Sequence, residues 1–312
     1  MSAVINGVLP LFALVLLGYG AMRFRALTPA GLEGLNRFVY IFALPVMLFF
    51  TMAERPIDAL FDWRIVAAYS GSTVLIFFLV VLGGRWVFPG RTVAELTILG
   101  GGSAFSNIAY LGVPLMIAAF GPEAGAPAGL ILLADNLILI SLIMGFMEAS
   151  GGGRKSVLGV TRQVLVGFLR NPFMLGMILG AIWGTLRLTL PDPIQNFGSL
   201  LGGAAGPCAL FALGGTLYGR PIADGRFEVA VASLLKLVVL PLIAAVAAFL
   251  IFDLPTDQAV LVVAIAALPT GANIFVLASH YQAAVARAST TVLATTGLAV
   301  ITVSGLLVLL ER

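Results

Sequence analysis

Apolar runs of about 20 residues recur along the whole chain, and they constrain its fold more than any single motif. A helix needs about 20 such residues to cross a hydrocarbon core of about 30 Å. Ten runs of this kind can be placed, at 3–22, 33–53, 65–88, 96–119, 127–147, 168–186, 197–219, 228–252, 258–279 and 287–310. Hydrophobic residues make up 60% of the chain and charged residues 10%, unlike a soluble domain. Because the runs are continuous rather than alternating, they predict an all-α membrane protein and exclude a β-barrel.

The placement of lysine and arginine predicts the orientation of these helices. With the N-terminus outside, twelve of the 17 basic residues fall on the inner side and four on the outer side, while Lys236 lies within a span. Basic residues concentrate on the cytoplasmic side of membrane proteins, so both termini are expected outside. No basic residue precedes the first run, which is also longer than a signal-peptide core. We therefore expect it to remain as a helix.

A polar connection is expected to join two halves of the chain. The least hydrophobic connection runs from Glu148 to Arg162, with five apolar runs on either side. This pattern predicts a first repeat at 1–147, a cytoplasmic linker at 148–163 and a second repeat at 164–312. Because each repeat has an odd number of spans, the second copy must be inverted relative to the first.

Runs four and nine contain residues that interrupt helices. The segments Ser103–Pro114 and Pro269–Tyr281 are apolar, yet both contain Asn and Gly, and Pro stands in each. Proline removes a backbone donor, and glycine lowers the cost of leaving helical geometry. Lipid cannot satisfy the backbone groups that a break sets free, so each break must line a protein-enclosed or water-filled cavity. The predicted break and crossover residues are Gly112, Pro114, Pro269 and Gly271.

Two internal matches support the repeat. Asn107 and Asn273 are separated by 166 residues, about half of the chain. The tripeptides Ala43-Leu44-Pro45 and Ala205-Gly206-Pro207 match at a similar offset of 162 residues. Paired broken helices at corresponding positions of two repeats are typical of secondary transporters.

The breaks suit a small carboxylate as ligand. Asn is a favoured N-cap, so Asn107 and Asn273 are each expected to begin the second half of a broken helix. Two such N-termini, each equivalent to roughly half a positive charge, would face one central volume. The candidate substrate-binding residues are Asn107, Tyr110, Thr270 and Asn273. The alternative is that Pro and Gly only kink packed helices.

Ionisable residues inside the spans are candidates for ion coupling. Asp135, beside Asn136, lies in the fifth run and Lys236 in the eighth. A charge at the bilayer centre costs about 2.5–3.5 kcal/mol on insertion scales and is usually functional. One hypothesis is that Asp135 exchanges a proton or helps to hold a cation, while Lys236 neutralises a carboxylate or replaces a cation. The alternative is a structural pair, bonded mutually or to the backbone.

The sequence contains no pattern typical of catalysis or metal binding. It has no GxxxxGK[ST] phosphate loop and no cluster of His and Cys, and its one histidine, His280, falls near the end of a span. Cys208, the single cysteine, cannot form an internal disulfide. We therefore expect no enzymatic activity, no resident cofactor or metal, and no nucleic-acid partner.

The two interrupted segments resemble motifs of the auxin efflux carrier family. Asn107–Leu115 is similar to the fourth-helix motif of that family, and Ala267–Gly271 followed by Phe275–Tyr281 is similar to its ninth-helix motif. The resemblance implies ten helices in two inverted five-helix repeats, with broken spans 4 and 9 crossing, a fold of the bile-acid symporter and sodium–proton antiporter type. It also implies a scaffold from spans 1, 2, 6 and 7, a mobile transport domain from spans 3–5 and 8–10, and a homodimer.

The resemblance favours the bacterial branch of the family, which includes malonate and malate permeases. Ile274 stands where the plant PIN-type carriers have a second proline in the ninth helix. We therefore expect a secondary active transporter that moves a small organic anion across a bacterial cytoplasmic membrane by elevator-type alternating access. Coupling to protons or sodium is left open. The alternatives are a cation/proton antiporter of the same architecture and a membrane sensor that does not transport.

Overall fold

Helices account for the regular structure of the described residues. The computed structural model describes residues 2–54, 62–150, 157–219 and 225–310. The helices within these ranges are α1 (Ser2–Arg23), α2 (Pro29–Ala53), α3 (Trp63–Val87), α4 (Val93–Ala104), α5 (Ile108–Phe120), α6 (Pro122–Ser150), α7 (Val157–Arg170), α8 (Pro172–Thr185), α9 (Asp192–Leu217), α10 (Arg226–Ile251), α11 (Thr256–Ala266), α12 (Asn273–Tyr281) and α13 (Val285–Leu310).

Six of the described helices are long and apolar enough to cross a membrane. They are α2, α3, α6, α9, α10 and α13, the last over Val285–Leu306. Shorter apolar helices cover Pro10–Arg23 of α1, α5, α8 and α11. At 1.5 Å per residue, α5 and α11 are each too short to span the hydrocarbon core alone. The prediction of an all-helical membrane protein is thus confirmed for the described residues.

Three helices widen into a π-helical turn shortly before a proline. A proline clashes with the carbonyl four residues earlier and has no amide to donate, and a wider turn relieves that clash. In α2, for example, the amide of Leu44 donates to the carbonyl of Val39, five residues back, just before Pro45. The same arrangement places Ile108–Gly112 before Pro114 and Leu235–Val239 before Pro241.

The predicted linker is partly helical. Residues 148–150 end α6, and α7 begins at Val157, so the segment 148–163 includes helical residues at both of its ends. Residues 151–156 of the predicted linker lie outside the described residues. The apolar residues of α7 recur at helical spacing between polar ones, a pattern that the glycines and charges of the neighbouring segment obscured.

The chain divides into two compact units, of which unit 1 comprises Met1–Asp62, Ile108–Leu130 and Phe168–Gly219. Within unit 1, α1 packs along α9 and α2 packs along α8. Glycines set both contacts: a Cβ added at Gly18 would collide with the carbonyl of Phe211, and one added at Gly180 with the carbonyl of Phe49. Small residues at such points let the backbones of membrane helices approach closely.

Unit 2 comprises Trp63–Asn107, Ile131–Gly167 and Arg220–Arg312. Its centre is α4, which presents a run of glycines to its neighbours. A Cβ at Gly100 would press on Phe77 of α3, and one at Gly101 would press on Ile143 of α6 and Ile274 of α12. All residues from Leu96 to Ala104 are buried. The first half of the fourth run is therefore enclosed by other helices of unit 2.

An ion network of Arg91, Glu95, Glu228 and Arg287 joins three helices at one end of unit 2. Glu228 accepts from Arg91 at 2.5 Å and from Arg287 at 3.5 Å, while Arg287 also pairs with Glu95. Thr92 and Glu95 form a capping box that starts α4. Burial raises the pKa of Glu95, but hydrogen bonds from Thr92 and Arg287 outweigh burial and hold that pKa below its usual range. The network fixes the start of α4 against α10 and α13.

Candidate functional site

The two interrupted runs are joined in unit 2 by a short antiparallel bridge, here called the crossover bridge. Its two backbone hydrogen bonds run from the amide of Asn107 to the carbonyl of Pro269 (2.9 Å) and from the amide of Gly271 to the carbonyl of Phe105 (3.0 Å). The central pair is Ser106 and Thr270. The two extended segments therefore satisfy part of each other's backbone, as a water-free interior requires.

The local sequence explains why the helices open here. Phe105 leaves α4 with an extended backbone (φ −73°, ψ 120°). Pro269 has no amide to continue α11, and its carbonyl is free to accept from Asn107. Gly271 lies so close that a Cβ would stand 2.7 Å from the Phe105 ring and 3.0 Å from the Ser106 carbonyl. The bridge therefore requires glycine at position 271.

Side chains donate hydrogen bonds to free backbone carbonyls at the C-terminal ends of α4 and α11. The Thr270 hydroxyl donates to the Gly102 carbonyl at 2.6 Å, and the Lys236 ammonium donates to the Ala266 carbonyl at 2.7 Å. The Thr270 amide itself donates to the Thr295 hydroxyl at 3.1 Å. Cations and hydroxyl donors are favourable at helix C-termini, where the dipole is negative. Both helix ends at the bridge are thus neutralised within unit 2.

Asn107 carries the clearest unused donor of the bridge. It is 4% exposed, and its Nδ2 atom has no hydrogen-bond partner among the described residues. Beside it, Tyr69 of α3 donates its hydroxyl to Ser106 at 2.8 Å. An unmet buried donor is costly, so this amide is suited to an acceptor such as a carboxylate oxygen.

Asp135 and Lys236 form a charged pair of groups beside the bridge. Both are fully enclosed, at 1% and 0% exposure, and they interact electrostatically with each other. Neither carboxylate oxygen of Asp135 has a hydrogen-bond partner in the described part of the chain, although Tyr69 and the Ser106 backbone are neighbours. Asn136, by contrast, is bonded to the Leu132 carbonyl. One buried cation and one buried anion therefore lie beside the bridge, and the anion has unfilled acceptor positions.

Asn273 does not cap its helix as the sequence suggested. Ala272 occupies the N-cap position with a helical backbone (φ −60°, ψ −21°) and no side-chain cap, and Asn273 is the exposed first residue of α12. Asn273 lies two residues beyond the position that corresponds to Asn107, because the bridge aligns Ser106 with Thr270. The two asparagines are thus in different surroundings.

The other predicted residues of run four belong to unit 1. Tyr110 is partly exposed and its ring meets Phe173 edge-on at 6.1 Å, while Gly112 and Pro114 begin the α-helical part of α5. Pro114 lies at the wall of a cavity of about 770 Å³ within unit 1. Its polar lining includes Thr51 of α2 together with Gln195, Asn196 and Ser199 of α9. Unit 1 therefore contains a cavity next to the predicted break that is large enough to hold water molecules.

Several groups at the bridge were not identified from the sequence. They are Tyr69, Ser106 and Thr295, which lie in apolar stretches. Serine and threonine hydroxyls in such stretches commonly bond to the preceding turn, and a tyrosine there commonly packs as an apolar ring. The one available signal for Ser106 was its position directly before Asn107. Within the described residues, no group of three or more His, Cys, Asp and Glu side chains could hold a metal ion.

Comparison with known proteins gives matches along the full chain. The family model described as "Membrane transport protein" matches residues 3–307. The "Putative malonate transporter" of Rhizobium meliloti (strain 1021) is 33% identical over 315 residues, covering 100% of the chain and 97% of that protein. Auxin efflux carrier component 8 of Arabidopsis thaliana is 24% identical over 89% of both chains. Component 3 of the same plant is 29% identical over 48% of the chain and 23% of its own length.

Proposed function

The chain belongs to the auxin efflux carrier family of membrane transport proteins, and from this premise we propose that it is a secondary active transporter of small organic anions. It would act by elevator-type alternating access in a bacterial cytoplasmic membrane. The observation that carries the proposal is the crossover bridge, where two broken helices meet and Asn107 presents an unpartnered amide. An anionic carboxylate would accept from that amide.

The proposed fold has ten spans in two inverted repeats, with both termini outside. Two pairs of contacts support the repeats. In unit 1, one offset of 162 residues relates Gly18 to Gly180 and their contact partners Phe49 and Phe211 to each other. In unit 2, the offset that relates Ser106 to Thr270 also relates the two backbone hydrogen bonds of the bridge to each other. Repeated contacts of this kind are expected of related five-helix halves.

The proposed division of labour assigns spans 1, 2, 6 and 7 to a scaffold and spans 3–5 and 8–10 to a transport domain. The compactness of the two units supports this assignment, since α1, α2, α8 and α9 lie in unit 1 and the bridge lies in unit 2. Unit 1 also includes α5, so the boundary would pass through the fourth span at the break. A homodimer, with each scaffold held by its partner, completes the proposal.

Within the anions, we propose a small dicarboxylate such as malonate as the first substrate to test. The name of the Rhizobium protein suggests malonate, and its match covers the whole chain. When Asp135 carries a proton, Lys236 can offset one carboxylate of the substrate while Asn107 donates to the other, so the bridge fits this class. Thr270 and Asn273 are the further residues of unit 2 that we propose near the substrate.

Counterflow in proteoliposomes tests the proposal. Vesicles loaded with unlabelled malonate are diluted into labelled malonate, and transient accumulation of label is expected with the purified protein. Malate and indole-3-acetate in parallel vesicles define the class of substrate. Vesicles with protein that bind malonate but exchange none would point to a sensor. No binding and no exchange for any carboxylate would refute an organic-anion transporter.

A cation/proton antiporter is the second candidate, and Asp135 is the observation that favours it. A buried carboxylate without hydrogen-bond donors can bind a proton or a cation. Sodium- or potassium-dependent proton movement in vesicles without any organic anion would support this candidate. Proton movement that requires malonate would instead support coupled transport of the anion, with Asp135 as the coupling group.

A further inference from the structure

A groove on unit 2 combines an apolar wall with a single cation at one end. It runs between α10 and α13 and has a volume of about 640 Å³. Its lining includes Arg226 at the start of α10, Ser233 and Leu237 further along α10, and Leu298 of α13. The exposed side chains Leu234 and Val238 continue the apolar wall outward. A groove of this kind takes a ligand with one charged end and a hydrocarbon chain.

The charged end of the groove attracts an anion. Arg226 is exposed, is the first residue of α10 and has no ion pair in the described part of the chain. The nearby Glu228 does not neutralise it, because that carboxylate points to Arg91 and Arg287. The amides of a helix N-terminus add partial positive charge at the same place. The Glu228 carboxylate already accepts from its own backbone amide in this first turn. A phosphate group would therefore be held mainly by the Arg226 guanidinium.

The wall of the groove contains one buried polar group without a partner. Ser233 is 6% exposed, and its hydroxyl makes no hydrogen bond within the described residues. It lies seven residues beyond Arg226, which is about 10 Å along a helix. A phospholipid carries its ester carbonyls below its phosphate, so the hydroxyl can donate to the same molecule whose phosphate meets Arg226.

Two other apolar grooves on unit 2 lack this combination. The groove between α3 and α6 includes Ser141, but that hydroxyl is bonded to the Leu137 carbonyl. The groove between α3 and α10 includes Ser72, whose hydroxyl is bonded to the Ala68 carbonyl. No charged residue lines either groove. They suit any lipid chain, whereas the groove at Arg226 can select by headgroup charge.

We propose that the α10–α13 groove is a binding site for an anionic phospholipid. The phosphate contacts Arg226, the ester region meets Ser233, and one acyl chain lies along Leu237 and Leu298. The site is separate from the crossover bridge and does not depend on which substrate is transported. Anionic headgroups between membrane helices are commonly held by basic residues of this kind.

Lipid retention measured by native mass spectrometry tests the site. The purified full chain is exchanged into detergent containing equal phosphatidylglycerol and phosphatidylcholine, and bound lipids are counted during delipidation. We expect one phosphatidylglycerol per chain to be retained. Arg226→Ala should weaken its retention by about fivefold, the effect of one arginine near an anionic surface. Arg226→Lys should restore most of it, and Arg170→Ala, at another exposed arginine, should leave it unchanged.

Filling the groove gives a second, independent variant. Ala294→Leu places a larger side chain in the wall and should displace the lipid without removing charge. Gly145→Leu in the α3–α6 groove is the matched control, since a Cβ there meets no atom within 4 Å. Equal retention of phosphatidylcholine, full retention in Arg226→Ala, or displacement of the lipid by inorganic phosphate alone would each overturn the proposal.

Discussion

At Asn107, a role in substrate binding can be tested separately from a structural role. Its backbone holds the bridge, whereas its side-chain nitrogen is unused. Asn107→Asp keeps the size of the side chain but replaces the donor with a negative charge. We expect apparent affinity for malonate to fall by at least about tenfold, the effect of losing a hydrogen bond to a charged group. Uptake against substrate concentration in proteoliposomes measures this change.

Asn36→Asp, at a partly buried asparagine of α2, serves as the matched control. It should leave the affinity unchanged. If Asn107→Asp folds with normal thermal stability and binds malonate as tightly as the unaltered protein, Asn107 is not a substrate ligand.

Asp135 and Lys236 require a double variant, because either residue alone leaves a buried charge without its counterpart. Asp135→Asn and Lys236→Met should each lower the free energy of unfolding by about 3–5 kcal/mol. The combined variant should recover much of that loss, since both charges are removed together. If the two charges act in coupling, the combined variant should still fail to transport malonate. Recovery of transport together with stability would instead identify a purely structural pair.

The close contacts in unit 1 yield a prediction at the level of helices. Gly18→Ala would push α1 away from α9, and Gly180→Ala would push α8 away from α2, because each new Cβ meets a backbone carbonyl. Overpacking of this kind costs typically about 1–3 kcal/mol. Gly203→Ala, where a Cβ would meet no atom within 4 Å, should be neutral or stabilising because alanine favours helix. Thermal unfolding in detergent should therefore rank Gly203→Ala above the other two; equal melting temperatures would contradict tight packing.

The breaks were predictable from sequence to within a few residues, while their internal geometry was not. Pro269 and Gly271 carry strong local signals, since one lacks an amide and the other tolerates close contact. The π turns before Pro45, Pro114 and Pro241 were missed, because a π turn has the same apolar composition as the helix around it. The role of Lys236 at the end of α11 also depends on a contact 30 residues away, which no local pattern encodes.

Over the whole chain, hydropathy identified the class of protein, while the pairing of halves depends on tertiary contacts. The offset found between tripeptides near Pro45 and Pro207 recurs in the glycine contacts of α1 and α8. The Asn107–Asn273 match was less informative, because the bridge pairs Ser106 with Thr270 instead. Single residues in the sequence therefore located the breaks, and the backbone hydrogen bonds of the bridge gave the alignment of the two broken segments.

The proposed inversion of the repeats can be tested at two loops that the offset of 162 residues relates. Ala26 follows α1 and Leu188 follows α8, and the same offset of 162 residues relates them. Both residues are exposed. If one half is inverted relative to the other, these positions must lie on opposite sides of the membrane. The positive-inside pattern assigns Ala26 to the cytoplasm and Leu188 to the outside.

Single cysteines at these positions, in a Cys208→Ser background, make the sides measurable. An impermeant maleimide applied to intact cells should label Leu188→Cys, whereas Ala26→Cys should react only after the membrane is permeabilised. Reversed labelling would retain the inversion but turn the molecule over, so that Arg23 and Arg25 near Ala26 would oppose the positive-inside rule. Labelling of both cysteines from one side would make the repeats parallel, and two broken helices could not then meet as halves of an inverted pair.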